Sequence, residues 1–357
     1  MSTLRVSAEQ LTVHEHPNAD ALELAQVGLY RAVVAKGAYR TGDFAVYIPE
    51  QAVLSDALIA ELGLTGRLAG GAANRVKAVR LRGELSQGLV CRPAALAGVD
   101  LEVASTEGAD FAEVLGITKW APPIPTTMSG DVESAPDLLP WVDIENLQRY
   151  PQIFEPGEPV VLTEKLHGTA CLLTYVAREE RVLVSSKGFG AKGLALKEDE
   201  RNLYWRAVRG HRVAQVAARL AERLGASRIG VFGEVYGSGV QDLSYGTDAR
   251  TADGPPGYAV FDLSAEIDGQ VRWLDPADLI TDELPLVPRL YEGPYDLDTV
   301  LEVATGRESV SGRAVHLREG VVIRPVVERY SPVVGGRAIA KAVSPAYLTR
   351  KGGTEYE

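Results

Sequence analysis

The sequence predicts an α+β protein of two unlike domains, a small antiparallel β-barrel followed by a larger domain in which strands alternate around one long helix. Three observations carry that reading. First, short apolar runs at residues 22–27, 32–34, 45–48, 76–81 and 89–91 are separated by turn residues at Pro17-Asn18, Lys36-Gly37, Thr41-Gly42-Asp43 and Arg82-Gly83. Short strands at this spacing suit a barrel of the OB type. Second, residues 116–156 carry Pro122, Pro123, Pro125, Pro136, Pro140, Pro151 and Pro156, which propagate neither a helix nor a central strand, so this segment is expected to link the barrel (1–115) to the second domain (157–357). Third, residues 200–224 place Leu203, Ala207, Val213, Val216, Ala217 and Leu220 on one face with arginines between them. That is an amphipathic helix, broken or kinked near Gly210.

Composition narrows the class. A chain of 357 residues with 46% hydrophobic content can build two cores. Ser7 to His16 reads as polar throughout, and no apolar stretch reaches the length of a membrane span. A cytoplasmic protein with no membrane association is expected, and Cys91 and Cys171, each among apolar neighbours, suit reduced buried thiols. The net charge of −11 argues against wholesale coating of nucleic acid. Basic residues nevertheless cluster from Arg67 to Arg92 and from Lys187 to Arg228, compatible with gripping a phosphate backbone at chosen places.

The chemistry centres on Glu164-Lys165-Leu166-His167-Gly168-Thr169, a polar turn between the apolar runs 160–162 and 171–173. Partial desolvation there is expected to lower the lysine pKa toward neutrality and free the amine as a nucleophile. Gly168 is expected to let a backbone N–H approach a phosphate. Five further clusters suit a nucleoside triphosphate. Lys187 follows the strand-like 182–186 and offers a cation. Glu234 is a lone carboxylate in an apolar strand, suited to a ribose hydroxyl. Phe261 offers a ring on which a base can stack. Glu319 opens a β-branched strand and suits a hydrated divalent metal. Lastly, Arg337 and Lys341 bracket Ala338-Ile339-Ala340, where a second lysine can neutralise charge as pyrophosphate leaves.

Two resemblances follow from these residues. His16-Pro17-Asn18-Ala19-Asp20, Gly42-Asp43 with Val46-Tyr47-Ile48-Pro49, and Leu81-Arg82-Gly83-Glu84-Leu85-Ser86-Gln87-Gly88-Leu89 resemble, over about residues 5–93, the tRNA-binding OB domain appended to some aminoacyl-tRNA synthetases. The ordered series from the Lys165 turn to Lys341 resembles the covalent nucleotidyltransferase superfamily of polynucleotide ligases and capping enzymes, and Glu-Lys-Leu-His-Gly-Thr is closer to RNA than to DNA ligases. Taken whole, the chain resembles bacterial, Deinococcus-type ATP-dependent RNA ligases that seal 3′-OH/5′-phosphate nicks.

That resemblance implies an OB-type barrel followed by a nucleotidyltransferase domain of antiparallel sheets with flanking helices. It further implies ATP as substrate, Mg2+ or Mn2+ as cofactor and RNA, as a nicked duplex, as partner; no protein partner is expected. Lys165 would carry AMP, with Glu319 and Lys341 completing the catalytic set. Glu164, Gly168, Lys187, Glu234 and Phe261 would bind the nucleotide, Glu319 the metal, and Lys187 also the RNA end. Little chain follows Lys341, so substrate choice is expected of the barrel, through Arg75, Lys77, Arg80 and Arg82. Two departures stand out: Ala170 where related enzymes have asparagine, and Ile339 where they commonly have lysine, a loss that Arg337 is expected to offset from the same strand face. The alternatives are a capping-type guanylyltransferase, or a tRNA- or RNA-binding protein with a degenerate catalytic domain.

Overall fold

A computed structural model describes residues 4–251 and 254–354. The chain divides into two compact units, one of residues 1–121 with 147–151, the other of 122–146 with 152–357. The proline-rich segment expected as a linker is thus shared out between them. Its residues 122–146 carry buried Met128, Ala135 and Leu139 and supply edge strands at Val132–Ser134 and Glu145–Asn146. Proline is compatible with such short edge pairings because an edge leaves some N–H groups unused.

The first unit holds two three-stranded antiparallel sheets. One orders Ser7–Gln10, Phe44–Ile48 and Leu89–Cys91; the other orders Thr12–Glu15, Leu22–Val27 and Tyr30–Ala35. The segment that reads as polar throughout forms two strands, 7–10 and 12–15, and is not polar throughout: Ala8 and Leu11 enter the two cores. Phe44–Ile48 is apolar throughout for a simple reason: Val46 and Ile48 enter one core, Ala45 and Tyr47 the other. A separate hairpin, Val79–Leu81 with Glu84–Ser86, turns at Arg82 and Gly83, both at positive φ as a tight two-residue turn requires.

The second unit contains two antiparallel sheets that share the lysine turn. The seven-stranded sheet runs Val132–Ser134, Leu194–Leu196, Arg181–Ser186, Thr169–Val176, Arg228–Tyr236, Gly257–Ile267, Gln270–Leu274. The five-stranded sheet runs Glu145–Asn146, Ala340–Val343, Gly320–Pro325, Pro159–Lys165, Arg289–Pro294, antiparallel but for its first pairing. The amphipathic segment forms two helices, Leu203–Gly210 and Val213–Leu224, capped by Asn202 and separated at Arg212, whose φ is +56°. They bury Val216, Ala217 and Leu220 over the seven-stranded sheet.

The second basic stretch is largely spent on the fold. Arg206 donates to the carbonyls of Ala249, Thr251 and Gly254, while Arg209, Arg219 and Arg228 pair with Glu198, Glu283 and Glu266. These arginines are therefore not a phosphate-gripping row. Cys91 and Cys171 are free and buried, and burial pushes the Cys91 thiol up to about 12. Among the described residues no helix is long and apolar enough to cross a membrane.

Candidate active site

Lys165 ends a strand of one sheet and Thr169 begins a strand of the other, so Leu166-His167-Gly168 is the crossing between them. Register places the charged groups. Lys165 faces Gly320, so Glu319 lies just past that pairing; Thr163 faces Val322, and Val322 faces Lys341. Lys165 and Lys341 therefore share one face of the five-stranded sheet, because side chains repeat with period two. From the other sheet come Glu234, at the Ala170 register, and Lys187, just after the strand Arg181–Ser186.

Lys165 Nζ lies 2.9 Å from Glu319 Oε1, and Lys187 Nζ lies 2.9 Å from Asp143 Oδ1. Burial acts to lower the Lys165 pKa, but the Glu319 and Glu234 carboxylates outweigh it and hold the ammonium above its ordinary value. The expected depression toward neutrality is thus overturned. Lys341 behaves as that expectation ran: burial, with Lys165 and Lys187 as like charges, brings it down to about 8. Glu234 is raised to about 7, chiefly by burial, against the opposing field of Lys165.

Glu234 binds its proton more tightly folded than unfolded, so its contribution to stability is full below about pH 4.3 and is lost as pH rises to about 7. In Glu234→Gln, urea midpoints will fall less across that window than in the parent; equal slopes would refute the assignment.

Gly168 has another task than the one expected. Its N–H donates to Glu234 Oε1 at 2.9 Å, so it is not available to a phosphate, and a Cβ there would lie 2.1 Å from the Val235 carbonyl oxygen. Glycine is required because the turn passes hard against the neighbouring strand. Glu164, adjacent to Lys165, points to the opposite face. Its Oε2 accepts the Ser309 N–H at 2.9 Å and the Ser309 hydroxyl, with Arg318 Nε at 3.7 Å, while Oε1 is buried without a partner.

Phe261 sits at a β-bulge: Phe232 pairs with Asp262 and Gly233 with Val260, leaving Phe261 unpaired and re-aimed. It meets the Trp141 ring edge-on at 6.2 Å between centroids. Arg337 does not replace the lysine missing at Ile339. Gly336–Arg337 pairs with Tyr330–Ser331, outside the sheet that holds Lys341, so strand alternation does not carry across. Its guanidinium binds Asp262 and Glu328 and stacks 3.9 Å over Trp273.

Sequence reasoning missed the cage around His167. His167 Nε2 lies 2.8 Å from Asp242 Oδ1, its Nδ1 2.8 Å from the Tyr347 hydroxyl, and its N–H donates to the Tyr245 hydroxyl at 2.7 Å. Arg350 bonds both Asp242 oxygens, at 2.8 and 3.0 Å. Despite burial, hydrogen bonds from His167, Arg350 and Thr354 hold the Asp242 carboxyl well below the usual range. No local signal marks these residues, which lie 75 to 183 positions from the turn.

In the first unit Arg80 and Arg82 are exposed on the hairpin, whereas Arg75 and Lys77 are half-buried and Arg75 stacks 3.9 Å over Trp120. Arg80 Nη1 donates to the Gly83 carbonyl at 3.0 Å across the hairpin turn, and Arg75 is engaged in packing.

A search of curated proteins by sequence finds no match. Among solved structures, the Naegleria gruberi RNA ligase with PPi is 24% identical, covering 97% of this chain and 98% of that one with a TM-score of 0.74. Mutants of that ligase solved with ATP and Mn and with AMP and Mn give TM-scores of 0.76 and 0.75 at the same identity and coverage. This likeness shows the fold. Residues 5–93 match an OB-fold domain, as the strand spacing anticipates. Residues 158–343, more than half of the chain and the whole stretch from the lysine strand to Lys341, match the RNA ligase family, to which this protein therefore belongs.

Proposed function

We propose that this enzyme is an ATP-dependent RNA ligase that joins a 3′-OH to a 5′-phosphate at nicks in duplex RNA, the Deinococcus-type activity, by way of lysyl-AMP and RNA-adenylate. The observation that carries the reading is the convergence of Lys165, Glu319, Glu234, Lys187 and Lys341 where the two sheets meet. In the first step Lys165 Nζ, having lost its proton, forms an N–P bond to the α-phosphorus as the bond to pyrophosphate breaks. Lys187 and Lys341 lie where they can oppose the charge that develops on the departing phosphates. AMP then passes to the RNA 5′-phosphate, and the 3′-OH displaces it. The solved structures of the Naegleria gruberi ligase with ATP, AMP and Mn support the choice of nucleotide and metal.

Glu319 Oε2 is buried without a partner, and among the described residues no group of three or more His, Cys, Asp or Glu is arranged to hold an ion. The chain thus fits Mg2+ or Mn2+ held by one carboxylate, with water and phosphate oxygens filling the remaining positions. Bound there, the ion would neutralise phosphate charge. Glu164, Glu234 and Phe261 are proposed to receive the adenosine. The free thiols suit the cytoplasm.

Incubation with α-labelled ATP or GTP tests the reading. A base-stable, acid-labile adduct from ATP alone supports it, and label from GTP alone would favour a capping-type guanylyltransferase. The hairpin arginines give a second test. Arg80→Ala with Arg82→Ala is expected to leave adenylylation intact and slow nick sealing severalfold, more strongly as salt rises; unchanged sealing would remove the barrel from RNA contact.

A further inference from the structure

Resting on the reading of Lys165 as the adenylylated nucleophile, we propose that residues 344–354 form a latch that positions it, with Arg350 and Tyr347 acting through His167. The turn 166–168 lies between two sheets, so its polar groups must find partners outside the ladders. Every partner comes from far along the chain. The Gly168 carbonyl accepts from Gln241 Nε2 at 3.1 Å, and Gln241 Oε1 accepts from the Thr354 hydroxyl at 2.8 Å. Both His167 ring nitrogens are occupied: Nε2 faces the Asp242 carboxylate and Nδ1 faces the Tyr347 hydroxyl. At Nε2 the Asp242 carboxylate at 2.8 Å competes with Arg350 Nη2, a donor, at 3.1 Å; the shorter contact, to a charged acceptor, places the ring hydrogen on Nε2, with Nδ1 accepting.

Arg350 organises the cage. Its guanidinium spans both Asp242 oxygens and lies 3.7 Å over the Tyr347 ring, fixing the two groups that hold the imidazole. The same segment grips the other partner of the Lys165 ion pair. The Ser344 N–H donates to the Glu319 carbonyl at 2.8 Å, and its hydroxyl to the Arg318 carbonyl at 3.0 Å. One stretch of chain, continuous with the strand that carries Lys341, therefore sets the backbone on both sides of Lys165 and Glu319. Arg350 and Tyr347 touch neither reacting group and are positioning residues. Their effect should appear in the rate of the covalent step and not in ATP binding, because an ångström of misplacement can cost about a hundredfold.

Single-turnover formation of lysyl-AMP across a range of ATP concentrations tests this in Arg350→Met, Arg350→Lys and Tyr347→Phe, with thermal melting of each variant. Arg350→Met is expected to react at least about tenfold more slowly at saturating ATP, with half-saturation within about twofold of the parent and melting preserved. Arg350→Lys should not recover the rate, since an ammonium cannot span two carboxylate oxygens and stack flat. Tyr347→Phe should lose less, because it removes the bond to Nδ1 and leaves the ring under Arg350. A parent-like rate in Arg350→Met, or a loss that merely tracks weaker ATP binding or unfolding, overturns the latch. If the parent itself takes no label, the nucleophile reading fails on its own and the 15N resonances of the His167 ring decide the latch. A fixed Nε2–H tautomer in the parent that becomes mixed in Arg350→Met supports it, and an unchanged ring overturns it.

Discussion

Lys165→Ala will form no covalent adduct with ATP, a loss of more than about a thousandfold in the first step, yet will still seal a nick whose 5′ end already carries AMP. The first loss follows from removing the nucleophile. The retained activity follows from the chemistry of closure, in which the 3′-OH displaces AMP without the lysine. Lys165→Arg sharpens the test. A guanidinium can keep the pairing with Glu319, which Lys165 Nζ makes at 2.9 Å, but it does not give up a proton in proteins and cannot attack. If the lysine served only to neutralise Glu319 and Glu234, the arginine variant would work. We expect it to fold and to remain unlabelled. Glu319 and Glu234 favour the protonated amine, and a divalent cation held by Glu319 would supply competing positive charge that eases loss of that proton. Adenylylation of the alanine variant, or failure of that variant on a pre-adenylylated nick in an otherwise folded protein, would contradict the scheme.

Gly168→Ala carries the second largest expected effect. The new Cβ would lie 2.1 Å from the Val235 carbonyl oxygen and 3.0 Å from Glu234 Cγ. Neither can retreat cheaply, because Val235 pairs with Thr169 on one side and Tyr258 on the other. Either the turn lifts away, losing its bond to Glu234, or the central strand shifts. Overpacking of this kind costs about 1–3 kcal/mol, and displacement of the adjoining lysine is expected to slow adenylylation about a hundredfold. Denaturant midpoints and single-turnover labelling measure the two losses separately. Parent-like values for both would mean that the turn is free to move and that glycine there is incidental.

Much of this architecture is legible without coordinates, for identifiable reasons. Runs such as Phe44–Ile48 and the helical stretch that breaks near Gly210 declare themselves because their period and punctuation are local properties. The nucleotide motifs are legible as types of side chain at strand ends. Two readings failed for the same reason. Counting in twos puts Arg337 on the strand face of Ile339, but the chain joins the sheet that holds Lys341 only at Ala340, and the arginine finds Asp262 and Trp273 instead. Desolvation alone predicts a lowered Lys165 pKa, whereas Glu319 and Glu234, both distant in the sequence, set its sign.

What the sequence alone determined is therefore the cast of chemical groups, the order in which they occur and the two kinds of domain that bear them, since each depends on neighbours within a few residues. Only the tertiary structure decided which charges face one another, that Gly168 answers to a carbonyl and not to a phosphate, and that Arg350 reaches His167. Those outcomes depend on strand register and on the path of the chain after its last strand, which bring residues far apart in sequence into contact.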